Sequence, residues 1–277
     1  MNLDQLIRNA GKLPPSPQIL PKLQKLLRDE NSSMSDIASL MKLDATLAAQ
    51  VIRVSNSSYY ASTERVNNIE GAVNRIGYND VNKIVGAISS KNMFGDSLPL
   101  YNLQDGEAWK ISILCATTMY MLAPGIELDG DIAYTIGLIH AIGMVIINNY
   151  YMEYGIIGSE IEHYPKGMSR EDEKKLFGFD YGQAGAALLM KWNFPKEIYM
   201  PVQYQFTPHN CSKHREFACL LSLVKQAIEQ FRAEPEELYE SFNPDPKALE
   251  IVQMDAETLI STALDSESMY EWLANTI

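Results

Sequence analysis

The stretch Ile136–Ile146 reads IGLIHAIGMVI, and it decides the class of fold. Its apolar residues run on without the alternation of a strand that has one wet face. The uncharged run extends from Ile132 to Tyr151, far beyond the usual strand of about five or six residues. Such a run predicts a buried helix from about Asp131 to Tyr151. A membrane span also needs about 20 predominantly apolar residues, ideally with basic or aromatic flanks. Here His140, Gly137, Gly143 and Asn148-Asn149 interrupt the run, and Asp129 and Asp131 precede it. The expectation is therefore the core helix of a soluble protein.

Helical periodicity continues on both sides. Ile19, Leu20, Leu23, Leu26 and Leu27 share one face after the turn Leu13-Pro14-Pro15-Ser16-Pro17. Ser33 with Asp36 resembles a capping box, and Asp44 caps a helix through Leu47, Val51 and Val54 that ends at Asn56-Ser57-Ser58. Val66 to Ile76 predicts another helix, closed by Gly77, and Asp80 to Met93 one more. Gly95 to Gly106 is the best candidate boundary. Beyond it come helices at Trp109 to Leu122, after Ser169-Asp172, at Tyr181 to Trp192, after Pro195 and at Phe217 to Phe231. Pro165-Lys166-Gly167 reads as a turn, and Glu234 to Glu240 as a solvated acidic face. No alternation persists anywhere, so the class is all-α.

Composition narrows the function. The 277 residues carry 23 Lys plus Arg against 35 Asp plus Glu, a net charge of -12 that repels nucleic-acid backbones. Cys115, Cys211 and Cys219 form no Cys-x-x-Cys pair, which fits a reducing compartment. The N-terminus lacks a signal-peptide pattern. A cytoplasmic protein, with no nucleic-acid and no membrane partner, is expected.

Several separated segments now resemble one family. Leu13 to Tyr60 contains LPPSPQILPKLQKLL and IASLMKLDATLAAQVIRVSNSSYY, with Asp44, Leu47, Arg53, Asn56, Ser57 and Tyr60 at the motif places. Ile69-Glu70-Gly71-Ala72-Val73 with Ile76-Gly77, Gly137 to Gly143, Phe179-Asp180, Gly185-Ala186 and Trp192 follow in order. The chain from about Leu13 to Ala227 is similar to HDOD proteins, a bacterial signalling branch of the HD phosphohydrolase superfamily. The resemblance implies an N-terminal helical bundle (1–100) packed on a degenerate HD-like bundle (101–231), followed by an acidic helical extension (232–277).

The resemblance also implies where a metal site would stand. HD enzymes gather imidazoles and carboxylates around Mg, Mn or Fe to activate a water. The corresponding places here are Ile111, His140, Ala141, Tyr181, Gln205 and Phe206, with Met144 near a lysine position. The last aspartate, expected near Leu221 to Val224, is missing, and Ser222 is the nearest polar residue there. One imidazole cannot hold a catalytic metal. His163, His209 and His214 do not converge with it by spacing. His140 is then a core histidine bonded to a backbone carbonyl or to a polar neighbour such as Tyr181. Packing is expected to fill the old cavity.

A possible binding surface is Arg53, Asn56, Tyr59 and Tyr60, although a tied-off helix C-terminus explains the same residues and is preferred. The resulting expectation is a regulator without catalytic residues, metal or cofactor, acting on another signalling protein. Its alternatives are a metal-dependent phosphohydrolase with an atypical ligand set and a nucleotide sensor using the remnant cavity.

Overall fold

A helix apolar on every face has nowhere to go but the interior. In the computed structural model, which describes residues 3–9, 19–60, 64–153, 167–233 and 242–277, the run around His140 lies at the centre. Among the described residues the regular elements are helices, apart from one antiparallel bridge between Leu98 and Leu103. The fold is all-α, as the periodicity predicts.

The first part of the chain comprises α1 (Leu3–Asn9), α2 (Ile19–Arg28), α3 (Met34–Met41), α4 (Ala45–Ser55), α5 (Ile69–Ile76) and α6 (Tyr78–Phe94). Their ends carry the chemistry expected of them. Ser33 Oγ accepts from Asp36 N–H while Ser33 N–H donates to Asp36 at 2.8 Å, completing the capping box. Asp44 accepts from Leu47 N–H at 3.0 Å. Gly77, at φ +82°, makes the left-handed turn between α5 and α6. Asn68, rather than Val66, caps α5, because its side chain accepts from Gly71 N–H at 2.8 Å.

The second part comprises α7 (Glu107–Leu122), α8 (Gly130–Ile139), α9 (Ile142–Glu153), α10 (Arg170–Phe177), α11 (Tyr181–Lys191), α12 (Lys196–Gln203) and α13 (Arg215–Ala233). Then follow α14 (Pro246–Val252) and α15 (Ala256–Thr276). Helix α6 packs on α7 and α8 and so joins the two parts. Buried apolar residues from both parts form one contiguous cluster, which includes Leu98, Leu100 and Leu103 of the expected boundary. Helices α14 and α15 join it too: α14 packs on α13 and α15 on α7, with Val252, Leu259, Ala263 and Leu273 buried. The turn at Leu13–Pro17, Pro165, Lys166, His163 and the acidic run Glu234–Glu240 lie outside the described residues.

The single helix expected from Asp131 to Tyr151 is broken at His140-Ala141. Three hydrogen bonds accommodate the break. His140 Nδ1 lies 2.6 Å from the Gly137 carbonyl, Gln205 Nε2 donates to the His140 carbonyl at 3.1 Å, and Met144 N–H donates to Ala141 three residues back. The break sits where α11 comes closest: a Cβ on Gly143 would lie 1.8 Å from the Tyr181 carbonyl oxygen. On the other side, Gly137 lets α8 press on the backbone of Ala116 in α7. Over Gly130–Glu153, which is long and apolar enough to cross a membrane, 83% of the most apolar window is buried within the fold.

Candidate functional site

Helix α7 supplies Ile111 and Cys115, the α8–α9 break supplies His140, Ala141 and Met144, and the start of α11 supplies Tyr181. The turn after α12 adds Phe206, and all of these residues line one cavity of about 250 Å³. Gln205 stands behind it, bonded to the His140 carbonyl. The structure thus places Ile111, His140, Ala141, Tyr181 and Phe206 around one cavity with Gln205 behind it, whereas Leu221–Val224, where the last aspartate is expected, are not in the lining. It also departs from the expectation that packing fills the space. Small and unbranched side chains at Ala108, Ala141 and Met144 leave it open.

His140 is buried, and its Nδ1 faces a carbonyl, which can only accept; Nδ1 therefore carries the proton and Nε2 is bare. Burial, with the nearby Lys225 charge, pushes its pKa down to about 3 against a weaker opposing effect of the Gly137 bond. The imidazole is neutral throughout the physiological range.

Helix α13 contributes what the sequence reading missed. Lys225, Ile228, Glu229 and Arg232 are spaced i, i+3, i+4 and i+7 and present one face to the cavity. That spacing was the available signal, one residue beyond the place of the missing aspartate. Lys225 is only 5% exposed. Its Nζ lies 3.9 Å from the Phe206 ring centre and 5.0 Å from that of Tyr181. Among the described residues no carboxylate reaches Nζ within the 4.0 Å of an ion pair, and no acceptor takes a hydrogen bond from it. Burial pushes its pKa down to about 8, with Glu229 the largest opposing influence.

The other cations of the lining are already engaged. Arg170 Nε contacts Asp180 Oδ2 at 3.1 Å and its guanidinium covers Phe206 at 4.8 Å. Arg232 pairs with Glu107 at 3.1 Å. Behind the aromatic wall lies Glu173, which accepts from Tyr101 Oη–H at 2.6 Å and Tyr181 N–H at 2.9 Å. Burial nevertheless pushes its pKa up to about 7.

These shifts act oppositely on stability. The unfolded imidazole binds protons below about 6.5 and the folded one only below about 3, so stability falls as pH drops through that window. Folded Glu173 holds its proton up to about 7 while the unfolded carboxyl releases it near 4.5, so stability falls as pH rises between them. The two effects oppose each other from pH 4.5 to 6.5. His140→Gln should unmask Glu173, adding a decline of up to about 1.4 kcal/mol per pH unit relative to wild type. Denaturant unfolding at several pH values measures this, and parallel wild-type and variant profiles would contradict it.

The other predicted group is placed elsewhere. Asn56 donates to the Ile52 and Val66 carbonyls at 2.9 and 2.8 Å and accepts from Val66 N–H and Arg75. Arg53 donates to the Ile277 backbone oxygen, and Tyr60 Oη–H donates to Asp80 at 3.2 Å. Tyr59 and Tyr60 pack on Trp272 of α15, with ring centres 4.5 and 6.2 Å away. These residues close a helix end and dock α15, while Tyr59 keeps 56% of its surface exposed. His209, remote from the cavity lining, pairs with Asp245 at 2.6 Å.

An all-helical bundle is the architecture that the sequence resemblance implies. The HDOD domain profile matches residues 13–208, and the chain belongs to the HDOD family that its motifs resemble. It is similar to an HDOD domain protein of unknown function from Geobacter sulfurreducens (21% identity, TM-score 0.66, 98% of this chain and 96% of that one). A candidate signal transduction protein from Marinobacter aquaeolei VT8 shares the fold at 22% identity and TM-score 0.69, over 99% of this chain and 60% of that chain. A candidate phosphohydrolase from Shewanella amazonensis SB2B does so at 21% identity and TM-score 0.69, over 98% and 95%. An uncharacterized protein of Treponema pallidum (strain Nichols) is 21% identical over 222 residues, 78% of this chain and 42% of the relative. The chain therefore spans less than half of that relative and three fifths of the Marinobacter protein.

Proposed function

We propose that this protein is a non-catalytic HDOD regulator that acts through contacts with another signalling protein. The observation that carries the reading is the donor set around His140. Ile111, Ala141 and Phe206 have no donor atom for a metal, and Gln205 stands behind the lining, its amide nitrogen on the His140 carbonyl and its buried amide oxygen unbonded. The donors that remain, the His140 imidazole, the Gln205 amide oxygen, the Tyr181 phenol, Cys115 and Glu229, do not fit a Mg, Mn or Fe centre, which needs several convergent imidazoles and carboxylates. Among the described residues no three His, Cys, Asp or Glu gather where they could hold a metal. The Lys225 ammonium makes the fit worse, because it places a positive charge in the same cavity.

The test couples metal analysis with turnover. Purified protein supplied with Mg, Mn or Fe is expected to retain far less than one metal per chain. It should release no product from nucleotides or cyclic dinucleotides above the level of a His140→Ala variant. Stoichiometric metal together with hydrolysis that His140→Ala abolishes would establish the phosphohydrolase alternative. A signalling protein recovered from native lysate should rebind the regulator when both are pure.

A further inference from the structure

Lys225 sits in an unusual position for a lysine. The residue is only 5% exposed, two aromatic faces flank the ammonium, and a cavity adjoins it. Cation–π contacts partly offset the loss of water, but an ammonium has three N–H donors and a ring face supplies no strong acceptor. The neighbouring cations have their carboxylates, Asp180 for Arg170 and Glu107 for Arg232. Glu229 also lines the cavity yet stays beyond ion-pair distance of Lys225. One positive charge is thus left without an anion, inside a chain whose net charge is -12.

We propose that the cavity binds a compact ligand with an aromatic or apolar body and one anionic head, carboxylate or phosphate, which Lys225 receives. The walls suit that body: Ile111, Met144, Met168 and Ile228 are apolar, and Tyr181 and Phe206 meet edge to face at 5.0 Å. At about 250 Å³ the cavity lies just below the range of about 300–1,000 Å³ common for ligand sites, which selects a ligand of one ring system over a cyclic dinucleotide. The head group gains a charge-assisted hydrogen bond from the Lys225 ammonium, stronger than one between neutral groups. The site extends the non-catalytic reading by giving the old hydrolase cavity a sensing role.

The experiment titrates the full chain calorimetrically at pH 7 and constant ionic strength with benzoate, phenyl phosphate, inorganic phosphate and benzamide. One or both aryl acids are expected to bind at least tenfold more tightly than benzamide, the neutral isostere, and than inorganic phosphate, which lacks the ring. The better of the two identifies the head group. Lys225→Met should weaken that binding at least tenfold while keeping a cooperative melting transition, and Lys225→Arg should retain part of it. Equal affinity for benzoate and benzamide, undiminished binding by Lys225→Met, or no binding of either acid would overturn the proposal. Lys225-dependent release of phosphate from phenyl phosphate would support the site while overturning the non-catalytic reading.

Discussion

Gly143→Ala should cost at least about 3 kcal/mol of stability, at the upper end of what overpacking a core does. An alanine Cβ at this position would lie 1.8 Å from the Tyr181 carbonyl oxygen and 2.7 Å from its carbonyl carbon. Both atoms belong to the backbone of α11, so no side-chain rotation relieves the contact; α9 and α11 must separate. That movement would disturb the packing of Ile142 and Leu188, which are buried to within 1%. The gain of about 1 kcal/mol that alanine brings to a helix is too small to compensate. Denaturant unfolding measures the loss. Gly125→Ala is the control, because nothing lies within 4 Å of the atom it would add. A Gly143→Ala variant within about 0.5 kcal/mol of wild type, the range of ordinary surface changes, would contradict the assigned closeness of α9 and α11.

Lys225→Met should change stability in the other direction. The residue is 5% exposed, no carboxylate lies within ion-pair distance of its ammonium, and methionine fills similar volume with no charge to desolvate. The fall in pKa from 10.5 to about 8 corresponds to about 3 kcal/mol against the charged form. Lost cation–π contacts with Phe206 and Tyr181 return part of this, each worth about 0.5–1 kcal/mol beside an open cavity. A net stabilisation of about 1–2 kcal/mol is expected, in line with apolar replacements of buried charges. The sign check with pH is specific. Between pH 8 and 10.5 the unfolded lysine holds more protons than the folded one, so wild-type stability rises with pH there. The advantage of the variant is full below pH 8 and shrinks as the pH climbs towards 10.5. A destabilised variant, or a difference that does not change across this window, would show that Lys225 is held by a partner. A residue that costs stability where a methionine would not is what a binding role predicts.

Much of this was legible in the order of residues. The capping pairs Ser33-Asp36 and Ser169-Asp172 act over three residues, and the local reading of them holds in the structure. Helix α11 is rich in Gly and Ala, as a helix with a close neighbour needs to be, and that neighbour is α9 at Gly143. The resemblance also pointed to a set of positions that lie around one cavity. The break at His140-Ala141 was not legible, because no proline marks it. It lies where α11 approaches Gly143, and it is accommodated by Gln205, 65 residues away. At Arg53 to Tyr60 the preferred reading of a closed helix end describes Asn56, which bonds the Ile52 carbonyl, whereas the docking of Trp272 on Tyr59 and Tyr60 was not legible.

The sequence by itself determined most helices, their caps and which side chains stand at the positions the resemblance marks, since each depends on residue identity or on spacings within a turn or two. Only the tertiary structure decided that the space between those positions stays open and that a lysine only 5% exposed lines it. Whether side chains from α7, α9, α11 and α13 fill a common volume depends on how those helices approach one another. The glycine contacts at their crossings set that distance, and it leaves Lys225 facing a cavity of about 250 Å³ with no anion of its own.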